Sequence, residues 1–343
     1  MTTTSSETDN AGAARGPTRY LPRAELRALA RLRPWQSLGS LVWTWGVIIA
    51  CFAWYCASPG VLSFVVGWIV ISGRHLGLAI LMHEGAHRLL FRNKRLNDWV
   101  ASWFTAYPIM LSVHVYRTIH LQHHRATWTD ADPDRGLARP FPITKKSFAR
   151  KVARDLAGLT GLARYRLIAR LSAGLPPDGR GLSGSSLWQA TNRFVRVQYG
   201  FLITNLVLLV GLSAAGHSEA FFLLWWLPAL TGYSLVLRIR SIAEHAVISD
   251  PNDELRQTRT TLAPFWLRFL IAPHNVNYHL EHHLFMFIPH YNLAKAHRLL
   301  RDSGVLSRAE VAKSYLEVLA KATSRVGADL KRERGTPLLP NAG

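Results

Sequence analysis

Asn277-Tyr278-His279-Leu280-Glu281-His282-His283 is the stretch that decides the fold of this chain. Its histidines stand at positions i, i+3 and i+4, so a helix would place all three imidazoles on one face. The same HxxHH spacing occurs once upstream, and a histidine pair one helical turn apart precedes it. These further histidines are His83, His87, His120, His123 and His124. The pattern predicts three helical clusters of imidazoles that converge on metal.

The composition favours a membrane protein over a nucleic-acid-binding protein. The 343 residues are 49% hydrophobic, include 12 tryptophans and carry a formal charge of +20. Because Lys and Arg flank long apolar runs, the charge fits the positive-inside rule, and we predict no nucleic acid partner. Cys51 and Cys56 lie inside an apolar run and form neither a metal motif nor a disulfide framework.

Four apolar stretches are long enough to cross a bilayer core of about 30 Å at about 1.5 Å per residue. They are residues 38–56, 61–82, 197–215 and 220–237. The predicted fold is an all-α integral membrane protein, with four transmembrane helices in two hairpins, interfacial helices and a cytoplasmic helical cap that carries the histidine motifs. Four crossings place both termini, the motifs and most Arg and Lys on one side, which we predict to be the cytoplasm.

The remaining segments divide the chain into one domain and its flanks. We predict a disordered tail at residues 1–19, a membrane domain at 20–332 and a second disordered tail at 333–343. Residues 97–113 contain Pro108 and are short for a full crossing, so we expect an interfacial or re-entrant segment. Arg74 interrupts the second apolar stretch, where it either reaches the membrane interface or contacts a substrate head group.

The histidines suit a site with two metal ions. Neutral imidazole binds Fe, Zn, Cu or Ni, whereas Mg and Ca prefer oxygen ligands. A catalytic zinc typically takes three protein ligands, so eight clustered histidines exceed the needs of one ion. Iron is favoured because it is redox-active, although ligand softness also admits zinc and copper.

One motif has an alternative interpretation from a different class of enzyme. His83-Glu84-Gly85-Ala86-His87 fits HExxH, in which two histidines bind zinc and the glutamate acts as a base. An intramembrane zinc metalloprotease would use only this motif and would leave both HxxHH motifs without a role. It would also need a carboxylate ligand in the third or fourth apolar stretch, and none lies there beyond their margins.

The ordered set HxxxH, HxxHH and HxxHH resembles the membrane fatty acid desaturase superfamily, which includes acyl and sphingoid hydroxylases and carotenoid-modifying enzymes. Asp132-Pro133-Asp134 and the residues from Asn277 to Phe285 match further, and the resemblance covers about Gly77 to Leu300. Met286 and Ala294 stand where family members commonly have proline.

The resemblance implies a histidine-ligated centre of two iron ions (Fe2+) with O2 as co-substrate. The implied ligands are His83, His87, His120, His123, His124, His245, His279, His282 and His283. His245 joins this set because it follows the last apolar stretch, where such sites take a further ligand. We expect Glu84, Asp134, Asn277 and Glu281 to orient imidazoles, and we expect no catalytic residue separate from the ligands.

The implied reaction is O2-dependent removal of hydrogens from unactivated C–H bonds of an acyl (lipid) chain. Hydroxylation of a lipid, sphingoid, alkyl or carotenoid substrate by the same kind of centre is the alternative. The sequence contains neither a heme-binding His-Pro-Gly-Gly segment nor a cysteine set for an iron–sulfur cluster. We therefore expect a separate electron donor, such as ferredoxin or a cytochrome with its reductase, that docks on the basic face.

Overall fold

The computed structural model describes residues 16–176 and 187–325, and these residues are mostly helical. The α-helices of this part are α1 (Arg23–Leu29), α2 (Pro34–Ala57), α3 (Val61–Ala86), α4 (Lys94–Ala101), α5 (Val113–Ala126), α6 (Arg135–Ala138), α7 (Lys145–Leu156), α8 (Leu159–Ser172), α9 (Leu187–Ala214), α10 (Ser218–Ala220), α11 (Leu227–Leu230), α12 (Gly232–His245), α13 (Phe265–Leu270), α14 (His279–Leu284), α15 (His290–Asp302) and α16 (Tyr315–Ala322). Two-residue strands β1 (Thr260–Thr261) and β2 (Val311–Ala312) pair in parallel. The predicted tails lie outside the described residues, apart from a 3-10 turn at Gly16–Arg19.

Four helical segments of the described ranges are long and apolar enough to cross a membrane. They are Pro34–Ala57, Val61–Ala86, Leu187–Ala214 and Ser218–His245. The described residues are mostly helical, with four helices of membrane-spanning length, which is consistent with the predicted all-α membrane protein. The helices extend beyond the apolar stretches. Apolarity marks the part that faces lipid, whereas backbone hydrogen bonds continue the same helix through the polar turns at its ends. One such extension carries His83 and another carries His245.

Helix α3 is the centre of the fold, since nearly every residue from Ile71 to Ala86 is buried. It packs against α2 on one side and α12 on another. Close packing with α12 requires Gly232, because a Cβ atom there would lie 2.1 Å from Oγ of Ser72. Because α3 and α12 both end among the histidines, the two hairpins point the same way.

The fourth membrane segment is not one regular helix. Between α10 and α11 it forms a π turn at Phe221–Trp226, and Pro228 at the start of α11 lacks a backbone N–H. The helix breaks again at Thr231, whose hydroxyl accepts a hydrogen bond from Nε1 of Trp68 at 2.9 Å. Irregular backbone is tolerated in a membrane when neighbouring helices supply such partners.

The segment around Pro108 forms no long helix. After α4 the chain passes through a π turn at Ser102–Ala106 and a 3-10 turn at Tyr107–Ile109, then reverses at Met110, whose φ is +60°. These turns pack against α3 and α9. The predicted interfacial or re-entrant segment therefore consists of an α-helix, a π turn and a 3-10 turn in direct succession, and it bends beside α3.

Candidate metal centre

The nine predicted ligands lie together in two groups at the ends of α3 and α12. The first group, the five-histidine cluster, consists of His83, His87, His120, His124 and His282. The second group, the four-histidine cluster, consists of His123, His245, His279 and His283. Within each cluster, one nitrogen from every side chain lies within 4.8 Å of the others. Both clusters are therefore able to bind a metal ion.

The spacing of the HxxHH motifs explains how one helix serves both clusters. Residues i and i+4 lie almost above one another on a helix, so His120 and His124 enter the same cluster. His123 is rotated about 100° from His124 around the helix axis, and it enters the other cluster. Helix α14 divides its histidines in the same way. The clusters are direct neighbours, because the ring centres of His124 and His283 lie 4.2 Å apart.

The Nε2 atoms within each cluster lie so close together that they cannot all be paired in hydrogen bonds with one another. In the five-histidine cluster, Nε2 of His124 lies 2.9 Å from Nε2 of both His120 and His282, and Nε2 of His282 lies 3.0 Å from Nε2 of His83. In the four-histidine cluster, the Nε2 atoms of His245 and His279 are 2.8 Å apart. A neutral imidazole carries a single N–H, so this chain of contacts cannot be completed by hydrogen bonds alone. A cation at the centre of each cluster would satisfy the lone pairs.

Three of the cluster imidazoles have a carboxylate near Nδ1, the ring nitrogen that points away from the cluster. Nδ1 of His123 donates a hydrogen bond to Asp132 at 2.8 Å. Glu84 lies 3.5 Å from Nδ1 of His83. A carboxylate at Nδ1 favours the tautomer with its proton there, which leaves the Nε2 lone pair facing the cluster. This arrangement is typical of metal-ligating histidines and fits the implied metals.

Glu244 plays the same part for the four-histidine cluster. Its Oε1 atom lies 3.6 Å from Nδ1 of His279 and accepts a hydrogen bond from Nε of Arg240 at 2.6 Å. The chain just beyond His245 is fixed by buried Arg259, which donates to the carbonyls of Ala246 and Val247 at 2.8 Å and 2.7 Å. The sequence pattern predicted a role for His245 but none for Glu244, although the two residues are adjacent.

Burial lowers the pKa of several cluster histidines. Burial is the main cause that lowers the pKa of His87 to about 3, and the neighbouring His83 lowers it further. Burial and then the surrounding histidines also hold the pKa of His279, His282 and His283 well below the ordinary value. Neutral imidazole is the form that binds metal, so the protein environment disfavours the competing proton.

The four residues expected to orient imidazoles have different partners. Glu84 contacts His83 and also accepts hydrogen bonds from the backbone N–H and Nδ1 of His290, at 2.9 Å and 3.2 Å. The structure places Asp132, rather than Asp134, against His123, while the backbone N–H of Asp134 donates to Asp132 at 2.9 Å. The sequence marked the Asp-Pro-Asp segment but could not tell which carboxylate turns inward.

Glu281 and Asn277 hydrogen-bond to residues of α15 and β1, which lie next to α14, and not to a motif histidine. Glu281 accepts a hydrogen bond from Nδ1 of His297 at 2.6 Å and another from the hydroxyl of Thr260. Nδ2 of Asn277 donates to the carbonyl of Thr261 at 3.2 Å, and the backbone N–H of Thr261 donates to the carbonyl of Asn277 at 3.0 Å. Both residues therefore position the whole helix that carries three of the histidines.

Comparison with known proteins gives a consistent result. A family model described as fatty acid desaturase matches residues 59–313, a range that includes all nine histidines. The dihydrorhizobitoxine desaturase of Bradyrhizobium elkanii is 28% identical over 84% of this chain and 82% of its own length. The sn-1 oleoyl-lipid 12-desaturase of a Picosynechococcus species is 24% identical over 81% of this chain and 80% of its own. The ferredoxin-dependent sn-1 acyl-lipid omega-3 desaturase of a Nostoc species is 23% identical over 68% and 66%.

Proposed function

The chain belongs to the fatty acid desaturase family and is an oxidoreductase, and from this we propose that it desaturates an acyl chain of a lipid in an O2-dependent reaction at two iron ions. The observation that carries the proposal is the pair of adjacent clusters built from histidine alone. All-nitrogen ligation suits a redox metal better than Mg or Ca, which prefer oxygen. The names of the acyl-lipid desaturases among its relatives support a lipid substrate.

We assign one iron ion to each cluster. The five-histidine cluster offers five nitrogen donors and the four-histidine cluster offers four. Iron held there would supply the oxidant for an unactivated C–H bond, using O2 and two electrons from outside. An ion in the four-histidine cluster would have one fewer protein donor than an ion in the five-histidine cluster.

The protein's own residues prepare the site before any substrate arrives. Asp132 holds the tautomer of His123 by a hydrogen bond, and Glu84 and Glu244 lie 3.5 Å and 3.6 Å from Nδ1 of His83 and His279. The helices α3 and α12 hold the histidines on converging ends. Five of the nine cluster histidines are buried and four are partly buried, which limits the contact of the clusters with bulk water. Since both loss of two hydrogens and insertion of oxygen start from the same C–H bond, product analysis is needed to distinguish desaturase from hydroxylase.

The zinc protease interpretation lacks support in the geometry. Its base would be Glu84, but this carboxylate accepts two hydrogen bonds from His290 and lies beside Nδ1 of His83. Its two zinc ligands, His83 and His87, are surrounded by His120, His124 and His282. The five-histidine arrangement leaves no isolated HExxH site.

For electron supply we propose a ferredoxin-type donor, in keeping with the relatives whose names specify ferredoxin. We place the clusters and both termini on the cytoplasmic side of the membrane, because Arg and Lys are abundant in the segments that share their side. An acidic carrier would be attracted to this basic surface at low ionic strength.

The proposal is tested by expression of the chain with a matched ferredoxin and reductase, followed by mass analysis of cellular lipids. We expect acyl chains that have lost two hydrogens, and we expect none from His282→Ala. His217→Ala, at the turn between α9 and α10, is the matched control and should retain activity. Products that have gained oxygen would instead identify a hydroxylase, and unchanged products from His282→Ala would contradict the assignment.

A further inference from the structure

A cleft of about 320 Å³, with both polar and apolar walls, lies between α2, α13 and the start of α15. Two arginines line it, Arg74 of α3 and Arg268 of α13, together with His274, His290 and Tyr291. This volume is at the lower end of the range for small-molecule sites, which is about 300–1,000 Å³. The cleft therefore fits one polar group of a ligand with part of its apolar body.

Neither arginine has a counterion within the part of the chain that the structure describes. Arg74 is only 1% exposed, its Nε atom has no hydrogen-bond partner, and Nη2 donates to the carbonyl of Phe269. Nε of Arg268 is also buried without a partner. Desolvated cations without an anion are costly, and a guanidinium group matches carboxylate and phosphate with two parallel hydrogen bonds. The cleft is thus complementary to an anion.

The same cleft adjoins the metal centre. His274 and His290 line both the cleft and a narrow slot that reaches His83, His279 and His282. The other residues that line this slot are Glu84 and the apolar Ile80, Val276 and Leu293. The slot has a volume of only about 10 Å³, so a ligand whose charged end lies at the arginines is placed beside residues of both clusters, and its apolar part reaches them only if the slot widens.

A larger cavity does not offer these contacts. It has a volume of about 730 Å³, lies between α2, α4 and α9, and is lined by apolar residues such as Leu41, Trp103 and Leu208. No arginine, lysine or cluster histidine is among its lining residues in the described ranges. It provides an apolar surface without a binding site for a charged group.

We propose that Arg74 and Arg268 bind the anionic group of the substrate, a carboxylate or a phosphate attached to an alkyl chain. This inference rests on the proposed function and adds the substrate's charged end to it. Nη2 of Arg74 also donates to the carbonyl of Phe269 in the last turn of α13, whereas the backbone N–H of Arg268 donates to the carbonyl of Pro264 and its side-chain Nε has no partner among the described residues. A substitution of Arg268 is therefore less apt than one of Arg74 to disturb the fold.

The test measures equilibrium binding to the iron-loaded protein in nanodiscs of zwitterionic lipid, by displacement of a fluorescent fatty acid. The probes are dodecanoate, its uncharged methyl ester and dodecyl phosphate. We expect Arg268→Gln to weaken binding of the charged probes about tenfold, as loss of one charge-assisted hydrogen bond predicts, and to leave the ester unchanged. Arg268→Lys should retain part of the affinity because the charge remains.

Arg95→Gln is the matched control, since this exposed arginine of α4 is absent from the cleft. Unchanged affinities in Arg268→Gln, or an ester that binds as tightly as the acid, would overturn the inference. Arg74→Gln should behave like Arg268→Gln, and its unfolding temperature separates loss of binding from loss of fold. Preference between dodecanoate and dodecyl phosphate identifies which anionic group the site accepts.

Product analysis on the same samples separates this inference from the proposed function. If charged probes bind through Arg268 but the iron-loaded protein with its electron donor forms no oxidised product, the proposed function fails and the anion site stands. If products form but Arg268→Gln binds every probe like the unsubstituted protein, the anion site fails and the proposed function stands.

Discussion

Nδ1 of His123 donates a hydrogen bond to Oδ1 of Asp132 at 2.8 Å, and both side chains are buried. The carboxylate also accepts hydrogen bonds from the backbone N–H groups of Trp128 and Asp134, at 2.8 Å and 2.9 Å. Burial raises the pKa of Asp132, but these hydrogen bonds, first the one from His123, lower it below its ordinary value overall. An ionised Asp132 therefore holds the imidazole of a proposed ligand in the tautomer that binds metal.

Asp132→Asn should weaken metal binding by the four-histidine cluster. The amide keeps the size of the side chain but removes the charge that fixes Nδ1–H, and loss of such a partner typically costs about 10–100-fold in metal affinity. Iron retained against chelators of graded strength gives the affinity. Asp134→Asn is the control, because in the described structure its side chain makes no hydrogen bond to His123. Equal iron retention in the two variants would contradict the role given to Asp132.

His245→Ala should lower the iron content from about two ions per chain to about one. His245 is the only histidine that α12 contributes to the four-histidine cluster, and its Nε2 lies 2.8 Å from that of His279. With three donors left, we expect this ion to be lost on dialysis while the five-histidine cluster retains its own. Metal analysis of the dialysed variant, compared with His217→Ala, tests this. If dialysed His245→Ala still held two iron ions per chain, His245 would not be a ligand.

Glu84→Gln distinguishes an orienting carboxylate from a catalytic base. Because Glu84 contacts His83 and accepts hydrogen bonds from His290, its loss of charge should weaken iron binding by the five-histidine cluster about 10–100-fold. Saturating iron should then restore most of the activity, which is measured across a range of iron concentrations. Glu219→Gln, at the opposite hairpin turn, is the control. Activity that stays absent at saturating iron would indicate a direct part in the reaction.

Gly85→Ala should destabilise the fold. A Cβ atom at Gly85 would lie 2.3 Å from Cβ of Ala101, so α3 and α4 would have to move apart. Overpacking of this kind costs about 1–3 kcal/mol and lowers the unfolding temperature. The matched control is Gly211→Ala in α9, where nothing lies within 4 Å of the added atom. Removal of a helical glycine there should leave stability unchanged or raise it by up to about 1 kcal/mol. Thermal unfolding in detergent, followed by size-exclusion chromatography, measures both, and equal midpoints would contradict the packing argument.

The histidine clusters show what a sequence can and cannot predict. The spacing of His120, His123 and His124 was informative because helical periodicity is local and needs no knowledge of the fold. The partition of neighbouring histidines between two clusters depends on how α5 and α14 pack, and these helices are more than 150 residues apart in sequence. The π turn at Phe221–Trp226 was likewise not predicted, since its sequence is as apolar as a regular membrane helix.

The carboxylates illustrate the same limit at single residues. Asp132 and Asp134 are equivalent in the sequence, and only the turn that follows α5 decides which one reaches His123. Glu244 lies in a helix beside His245, yet its partner His279 belongs to another element. Tertiary packing therefore determines the residues that support the metal centre.

Metal quantification of the purified chain is the most direct test of the central claim. The protein is expressed with iron and zinc both available, dialysed against a weak chelator and analysed by mass spectrometry. Two adjacent all-histidine clusters predict about two metal ions per chain, and the proposed oxidase requires these ions to be iron. One zinc ion per chain with no iron would contradict the account and would favour a single-metal hydrolytic site.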